Sequence, residues 1–434
     1  MDRFVLKGTI VYSRTPTELS VIPHGFLVCV DGVSGGVFSS LPESYRHFPL
    51  EDHGNCLIIP GLVDLHIHAP QFPYRGTGMD LELIDWLDTQ AFPEEAKYAN
   101  LSYARTAYSL FASALRRSVT TRACIFATRH RPATELLMEL MEQTGLVTCV
   151  GKVNMDQNAP QPLREENADH SAAETKAWLD AVNGRFSRTH PILTPRFVPS
   201  CSHSLMTRLG QLRSEYGLPV QSHLSENRGE CDLVRQLHPA SEFYGQVYHN
   251  YGLFGKDPFT ENLFPTVMAH CVLSGEEEQA LLRENGVYVA HCPASNMNLS
   301  SGIAPIRTYL DRGLRVGLGT DVAGGQSESM FRAVTDAIQV SKLYWRLVDS
   351  TASPLTFPEA FYLATKGGGG FFGRVGSFDE GFALDALVLD DTVLPSPTPL
   401  DGKTRLERAL YLSLDLLGGI RKKYVQGREI SLDS

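Results

Sequence analysis

Residues 60–68 read PGLVDLHIH and end in two histidines, His66 and His68, one residue apart. On a strand, residues two apart point the same way, so both imidazoles project to one side and form a ligand pair suited to zinc or a similar divalent ion. Further polar residues follow at the ends of apolar runs: Arg196 and Phe197 in TPRF, His223 and Glu226 in QSHLSEN, His270 in MAHC, His291 in AHCPASN and Asp321 in GLGTD. Singly, each has a plain structural explanation. His270 or His291 could be a core histidine, Arg196 a rim ion pair and Asp321 a helix cap. Packing does not explain so many at once. His66, His68 and His223 offer nitrogen ligands and Asp321 an oxygen. A metal so held keeps a place for water and lowers its pKa toward ~7. Glu226 can take the water's proton and pass it on, and His270 can hold or polarise the hydroxide. The set would hydrolyse a C–N bond at a polarised carbon. Arg196 presents a donor fork to an anionic or carbonyl oxygen. Gln71, three residues beyond His68, can donate to and accept from an amide-like ring edge. Phe197, Phe72 and Phe92 are candidates for a stacking wall.

Positioning such residues needs strands that deliver their C-terminal ends to one place. Apolar runs suggest strands at 62–66, 119–126, 146–153, 192–197, 219–223, 266–270, 286–291 and 314–321. Helical spacing lies between them at 133–143, 172–182, 205–216, 229–237, 276–284 and 303–312, with a further amphipathic stretch from Leu101 to Leu115. Eight alternating units predict an α/β chain with a (β/α)8 barrel of the TIM type over residues 61–370, its active residues at the strands' C-terminal ends. Short strands at 4–6, 9–12, 25–30 and 57–59, and again at 386–389 and 424–430, predict a small β-sandwich domain built from both chain ends, residues 1–60 plus 371–434. After His68 the run APQFPYRGTG predicts a loop, followed by a short helix capped by Asp80 that turns Leu83, Trp86 and Leu87 inward.

The chain of 434 residues is large enough to bury a sizeable core, and its net charge of −10 argues against a nucleic-acid or anionic-membrane surface. The start carries no basic-then-apolar signal pattern, and no apolar run is long enough to span a bilayer. Eight scattered cysteines without CxxC predict free thiols in a cytoplasmic protein.

The motifs PGLVDLHIHAPQ, VGKVNMD, TPRFVPSCS, QSHLSENRGE, MAHC, AHCPASNMNLSSG and GLGTDVAGG together resemble the amidohydrolase superfamily of metal-dependent hydrolases. HxH and GTD are shared widely there. The narrower set HxHxxQ, TPRF, SENR and GTDVAGG resembles the members that deaminate guanine. The resemblance runs from about residue 60 to 342 and more weakly beyond. It implies one zinc ion per chain on His66, His68, His223 and Asp321, with Glu226 as proton shuttle, Asp321 as an assisting base and His270 orienting the water. It implies guanine held by Gln71, Arg196 and Phe197 with His223, Glu226 and Asp321 beside them, conversion of guanine and water to xanthine and ammonia in purine catabolism, and a homodimer. The residues agree: guanine offers an oxygen to Arg196, whereas adenine would leave that donor unpaired at about 1–3 kcal/mol. Alternatives are a deaminase or chlorohydrolase of another N-heterocycle (pterin, cytosine, triazine), a two-metal hydrolase bridged by a carboxylated Lys152, and a non-catalytic scaffold. Residues 250–265 are a longer insertion than the pattern leads one to expect, and 367–370 are four glycines in a row.

Overall fold

A computed structural model describes residues 3–255 and 264–432. Both chain ends enter one seven-stranded sheet. In spatial order its strands are Arg428–Ile430, Ile420–Val425, Ala386–Leu389, Leu50–Pro60, Arg3–Ser13, Leu19–Val30 and Val33–Phe38. The two runs expected at 4–6 and 9–12 are one strand with a register shift between Gly8 and Ile10. Alternate residues face opposite sides: Ile58, Ala386 and Val388 join a core with Leu6, Ile10, Leu27 and Phe378, while Leu57, Ile59, Leu387 and Leu389 pack into the main core. The sheet curls enough for its edge strand Val33–Phe38 to bridge, through Val33, to Ala383 in the segment leading into Ala386–Leu389. The expected sandwich therefore takes the form of one continuous sheet closing over its own core.

Pro60 leads through Gly61 straight into the second unit. A side chain at Gly61 would lie 2.2 Å from Thr121, so only glycine allows the two units to meet so closely. Among the described residues, eight strands run parallel in two four-stranded sheets. The first comprises Leu62–His68, Thr120–Phe126, Val147–Gly151 and Thr189–Pro191, and the second Val220–Leu224, Thr266–His270, Tyr288–His291 and Arg315–Leu318. Main-chain hydrogen bonds join the sheets at both seams. Leu193 N–H donates to Pro219 O and Gln221 N–H to Leu193 O on one side; Asp321 N–H donates to His66 O at 2.8 Å and His68 N–H to Val322 O at 3.1 Å on the other.

The expected strand at 192–197 is broken. Proline at 191 and 195 leaves only Thr189–Pro191 and the short pair Thr194–Pro195 with Val153–Asn154, because proline cannot donate to a ladder. Helices follow the strands, starting with side-chain caps at Asn100, Asn167, Ser202 and Asn227. The helix Met330–Leu347 packs Phe331, Val334, Ala337 and Ile338 inward. Two of the four glycines 367–370 have a clear packing reason: a Cβ at Gly369 would come 2.4 Å from Val375 O, and one at Gly370 would come 2.8 Å from the Tyr288 hydroxyl. Residues 256–263 of the insertion lie outside the described residues. No described helix is long and apolar enough to cross a membrane.

Candidate metal centre and substrate pocket

His66 and His68 both lie on the first of these parallel strands, fully buried. Their Nε2 atoms are 3.2 Å apart, and His223 Nε2 stands 3.3 Å from that of His68. Asp321 Oδ1 lies 3.1 Å from His66 Nε2 and 3.4 Å from His68 Nε2. Burial, reinforced at His68 and His223 by the neighbouring imidazoles, pushes the three histidines below their ordinary pKa. They are therefore neutral, with lone pairs available. Burial alone would raise the carboxyl of Asp321, but His66 and its neighbours hold it well below the usual carboxylate range. His223 Nδ1 donates to Arg196 O at 2.6 Å, which fixes the tautomer that turns the Nε2 lone pair toward the cluster. Buried lone pairs converging at such distances repel one another unless a cation lies among them. The donor set of three imidazole nitrogens and one carboxylate oxygen fits a divalent metal. Cys292 also approaches Asp321 and His270, but burial pushes its thiol up, so it remains a protonated, poor ligand.

His270 and Glu226 flank this centre. Glu226 Oε2 is 3.4 Å from His270 Nε2, and Ser301 donates to Glu226 Oε1 at 3.1 Å. His270 Nδ1 meets Asn296 Oδ1 at 2.9 Å, leaving His270 Nε2, 3.7 Å from Asp321 Oδ2, to face the two carboxylates. Burial pushes the Glu226 carboxyl up to about 7, a value suited to taking and returning a proton near neutrality. The turn behind Glu226 is fixed by a capping box: Glu230 accepts from the N–H groups of Glu226 and Asn227, and Asn227 caps the helix Arg228–Leu237. Asp321 and His270 both have positive φ, 48° and 72°, a sparsely populated conformation that clusters at functional sites.

A half-open cavity lies above the cluster. His68, His223, Glu226, His270, Asp321, Gln71, Arg196 and Phe197 all line it, and Leu83, Trp86, Leu87 and Leu299 supply apolar walls. The short helix thus turns the expected residues inward, although it starts after Glu82 without a side-chain cap. Phe72 and Phe92 do not line the cavity. Phe72 lies against Phe111 and the Arg75 guanidinium, and Phe92 lies 5.1 Å beneath that of Arg196. Lys152 is buried in an ion pair with Glu165 at 2.6 Å, so its ammonium is already engaged.

A model of the amidohydrolase family matches residues 57–412. The chain belongs to the amidohydrolase family. Within it, the chain is 34% identical to a guanine deaminase of Dictyostelium discoideum, over 98% of each chain. It is 37% identical to that of Homo sapiens, over 98% of this chain and 96% of the other. A crystal structure of guanine deaminase from C. acetobutylicum with bound guanine in the active site superposes with a TM-score of 0.94 at 44% identity, covering 99% of this chain and all of that one.

Three residues at the site have no role in the reading of the sequence, although Asp64 and Glu230 stand inside the motifs PGLVDLHIHAPQ and QSHLSENRGE. Asp64 looks like a polar interruption of a strand, yet it is fully buried and accepts hydrogen bonds from His66 and Thr320. Glu230 lines the cavity beside Glu226. Glu95 bonds to both Gln71 and Arg196. The Asn227–Glu230 capping spacing was a readable signal for Glu230; no local signal marks the other two.

Proposed function

We propose that this protein hydrolyses guanine at C2, giving xanthine and ammonia, in a cytoplasmic purine-catabolic role. One observation carries the reading: three imidazole nitrogens and the Asp321 carboxylate converge beneath a cavity that also presents Glu226, Arg196 and Gln71. Membership among relatives named guanine deaminase supports it.

His66, His68, His223 and Asp321 would hold one zinc ion, which supplies Lewis acidity and lowers the pKa of water toward ~7. Arg196 donates from its guanidinium to the ring oxygen, and the amide of Gln71 meets a ring edge. Phe197, Trp86 and the leucine walls cover the ring and exclude bulk water. His270 Nε2 holds the attacking water in line with C2, and Asp321 Oδ2 assists as a base. Glu226 Oε2 takes one proton from that water and passes it to N3 as the C2–O bond forms and C2=N3 becomes a single bond; the second proton, drawn off by Asp321 Oδ2, goes to the amine nitrogen, and the C2–N bond then breaks as C2=O forms and ammonia leaves. The two joined parallel sheets with their helices are read as a (β/α)8 barrel over residues 61–370. The curled sheet is read as a separate domain of residues 1–60 plus 371–434, and the assembly as a homodimer. Eight free cysteines accord with a reducing compartment.

The test is ammonia release from purified protein offered guanine, adenine, cytosine, a pterin and a triazine, before and after chelation, with zinc counted per chain. Guanine turnover that is lost with the metal and regained with zinc is expected. Faster release from another ring would replace guanine as the substrate.

A further inference from the structure

Glu95 sits behind the pocket, on the helical turn Phe92–Ala96, with its side chain 2% exposed. Its carboxylate is divided between two partners. Oε1 accepts from Gln71 Nε2 at 2.9 Å, and Oε2 accepts from Arg196 NH1 at 2.6 Å. Those partners come from opposite parts of the ring, one just after its first strand and one after the short strand Thr194–Pro195. Both line the cavity, whereas Glu95 does not. It acts on a ligand only through them.

Two consequences follow from the geometry. The first is orientation. The Gln71 carbonyl accepts the N–H of Ala323 at 3.1 Å, and one of its amide N–H groups goes to Glu95, so the amide cannot flip. It offers the cavity one remaining N–H and one lone pair. Arg196 has NH1 committed to Glu95, while the described residues supply no partner for its Nε and NH2, which are left for a ligand oxygen. The second is charge. The guanidinium already faces a buried carboxylate, so the pair is neutral as a unit. Glu226, Glu230 and Asp321 line the same cavity. A neutral carbonyl can take the two free donors of Arg196 without disturbing the pair. An anion would have to compete with Glu95 for a guanidinium whose charge is already compensated, so it gains little from Arg196 for the desolvation it suffers.

We infer that Glu95 is a positioning residue that sets the specificity of this site: it holds Gln71 and Arg196 for a neutral oxo-purine ring and makes the pocket reject anionic oxo-purines. The inference rests on the guanine reading above. It also gives the product a way out, because xanthine is the more acidic ring and its anion is the form the pocket excludes.

Calorimetric binding of two unreactive rings, hypoxanthine and xanthine, to the zinc-loaded protein tests this without relying on turnover. The pH is varied across the first deprotonation of xanthine. In the wild-type protein the xanthine-to-hypoxanthine ratio of Kd should climb at least about tenfold as xanthine ionises. In Glu95→Gln the climb should flatten, with KM for guanine raised about tenfold or more and kcat changed far less. Glu95→Asp keeps the charge but is too short to hold both partners, so it should retain the climb and still raise KM. A flat ratio in the wild-type protein overturns the inference, whether or not the variants fold. So does a Glu95→Gln variant with the wild-type ratio. If the wild-type protein binds neither ring and releases no ammonia from guanine, the functional reading itself fails, which is a distinct result.

Discussion

Asp64 Oδ2 accepts a hydrogen bond from the Thr320 hydroxyl at 2.5 Å, while its Oδ1 accepts from the main-chain N–H groups of Thr320 and of His66, each at 3.1 Å. One buried carboxylate thus ties the strand bearing His66 and His68 to the turn that delivers Asp321. Replacing it by alanine would orphan three buried donors, each worth about 1–3 kcal/mol when unmet. Asp64→Ala should therefore lose about 3 kcal/mol or more of stability and weaken metal binding about 10–100-fold, as loss of an orienting partner does. Urea unfolding and zinc per chain after dialysis measure both. Full zinc occupancy with an unchanged midpoint would show that the staple is dispensable.

Glu226 has its carboxyl raised to about 7 by burial, against the pull of His270. The working form is the ionised base, whose fraction grows as pH rises through that value. On the acid side kcat/KM should therefore climb with pH and level off above about 7. Glu226→Gln should retain zinc, since Glu226 is outside the proposed ligand set, yet lose roughly 10²–10⁴-fold in turnover. Its residual activity should also lack this acid limb. Near-normal rates in the glutamine variant would remove Glu226 from the mechanism.

Arg196 read from sequence alone is a substrate contact whose loss should chiefly weaken guanine binding. Its buried pairing with Glu95 adds a second effect. Arg196→Met would strand a desolvated carboxylate, at a cost of about 3–5 kcal/mol. The single variant should thus show both a raised KM and a lowered unfolding midpoint. Adding Glu95→Gln should recover much of the stability without restoring guanine affinity. A double-mutant cycle in stability that sums additively would mean the pair is not coupled.

The convergence of His66, His68, His223 and Asp321 was legible because these residues sit at strand ends, where alternation fixes which way His66 and His68 point and apolar runs end in a single polar residue. Asp64 and Glu95 were not, because their partners Thr320 and Arg196 are far away in sequence. A carboxylate inside an apolar strand, or in the run FPEEA, carries no local sign of such a partner. Phe92 was legible as an aromatic near the site but not as the ring beneath Arg196. The fourth strand of the ring was misplaced because Pro191 and Pro195 interrupt a run whose apolar content looks continuous. The helix Met330–Leu347 has the spacing of Phe331, Val334, Ala337 and Ile338, a signal that the strand-centred reading passed over. The curl of the terminal sheet depends on pairings between chain ends, such as Val33 with Ala383, that no local pattern encodes.

His291 ends the strand Tyr288–His291 and is 1% exposed, and neither ring nitrogen has a hydrogen-bond partner among the described residues. It does not line the cavity above the His66, His68, His223 and Asp321 cluster. Burial, with His270 nearby, pushes its pKa down to about 3. The unfolded chain binds a proton at this residue below about 6.5, while the folded chain does not until about 3. Between those values the unfolded state holds more protons, so the contribution of His291 to stability is complete above about 6.5 and is lost as pH falls through the window. His291→Phe removes the titrating group from an apolar setting. Its urea midpoint should fall less steeply than that of the wild-type protein on acidification, with zinc content and guanine kcat/KM kept within about threefold. A loss of activity of tenfold or more, with the fold intact, would instead place His291 in the working site.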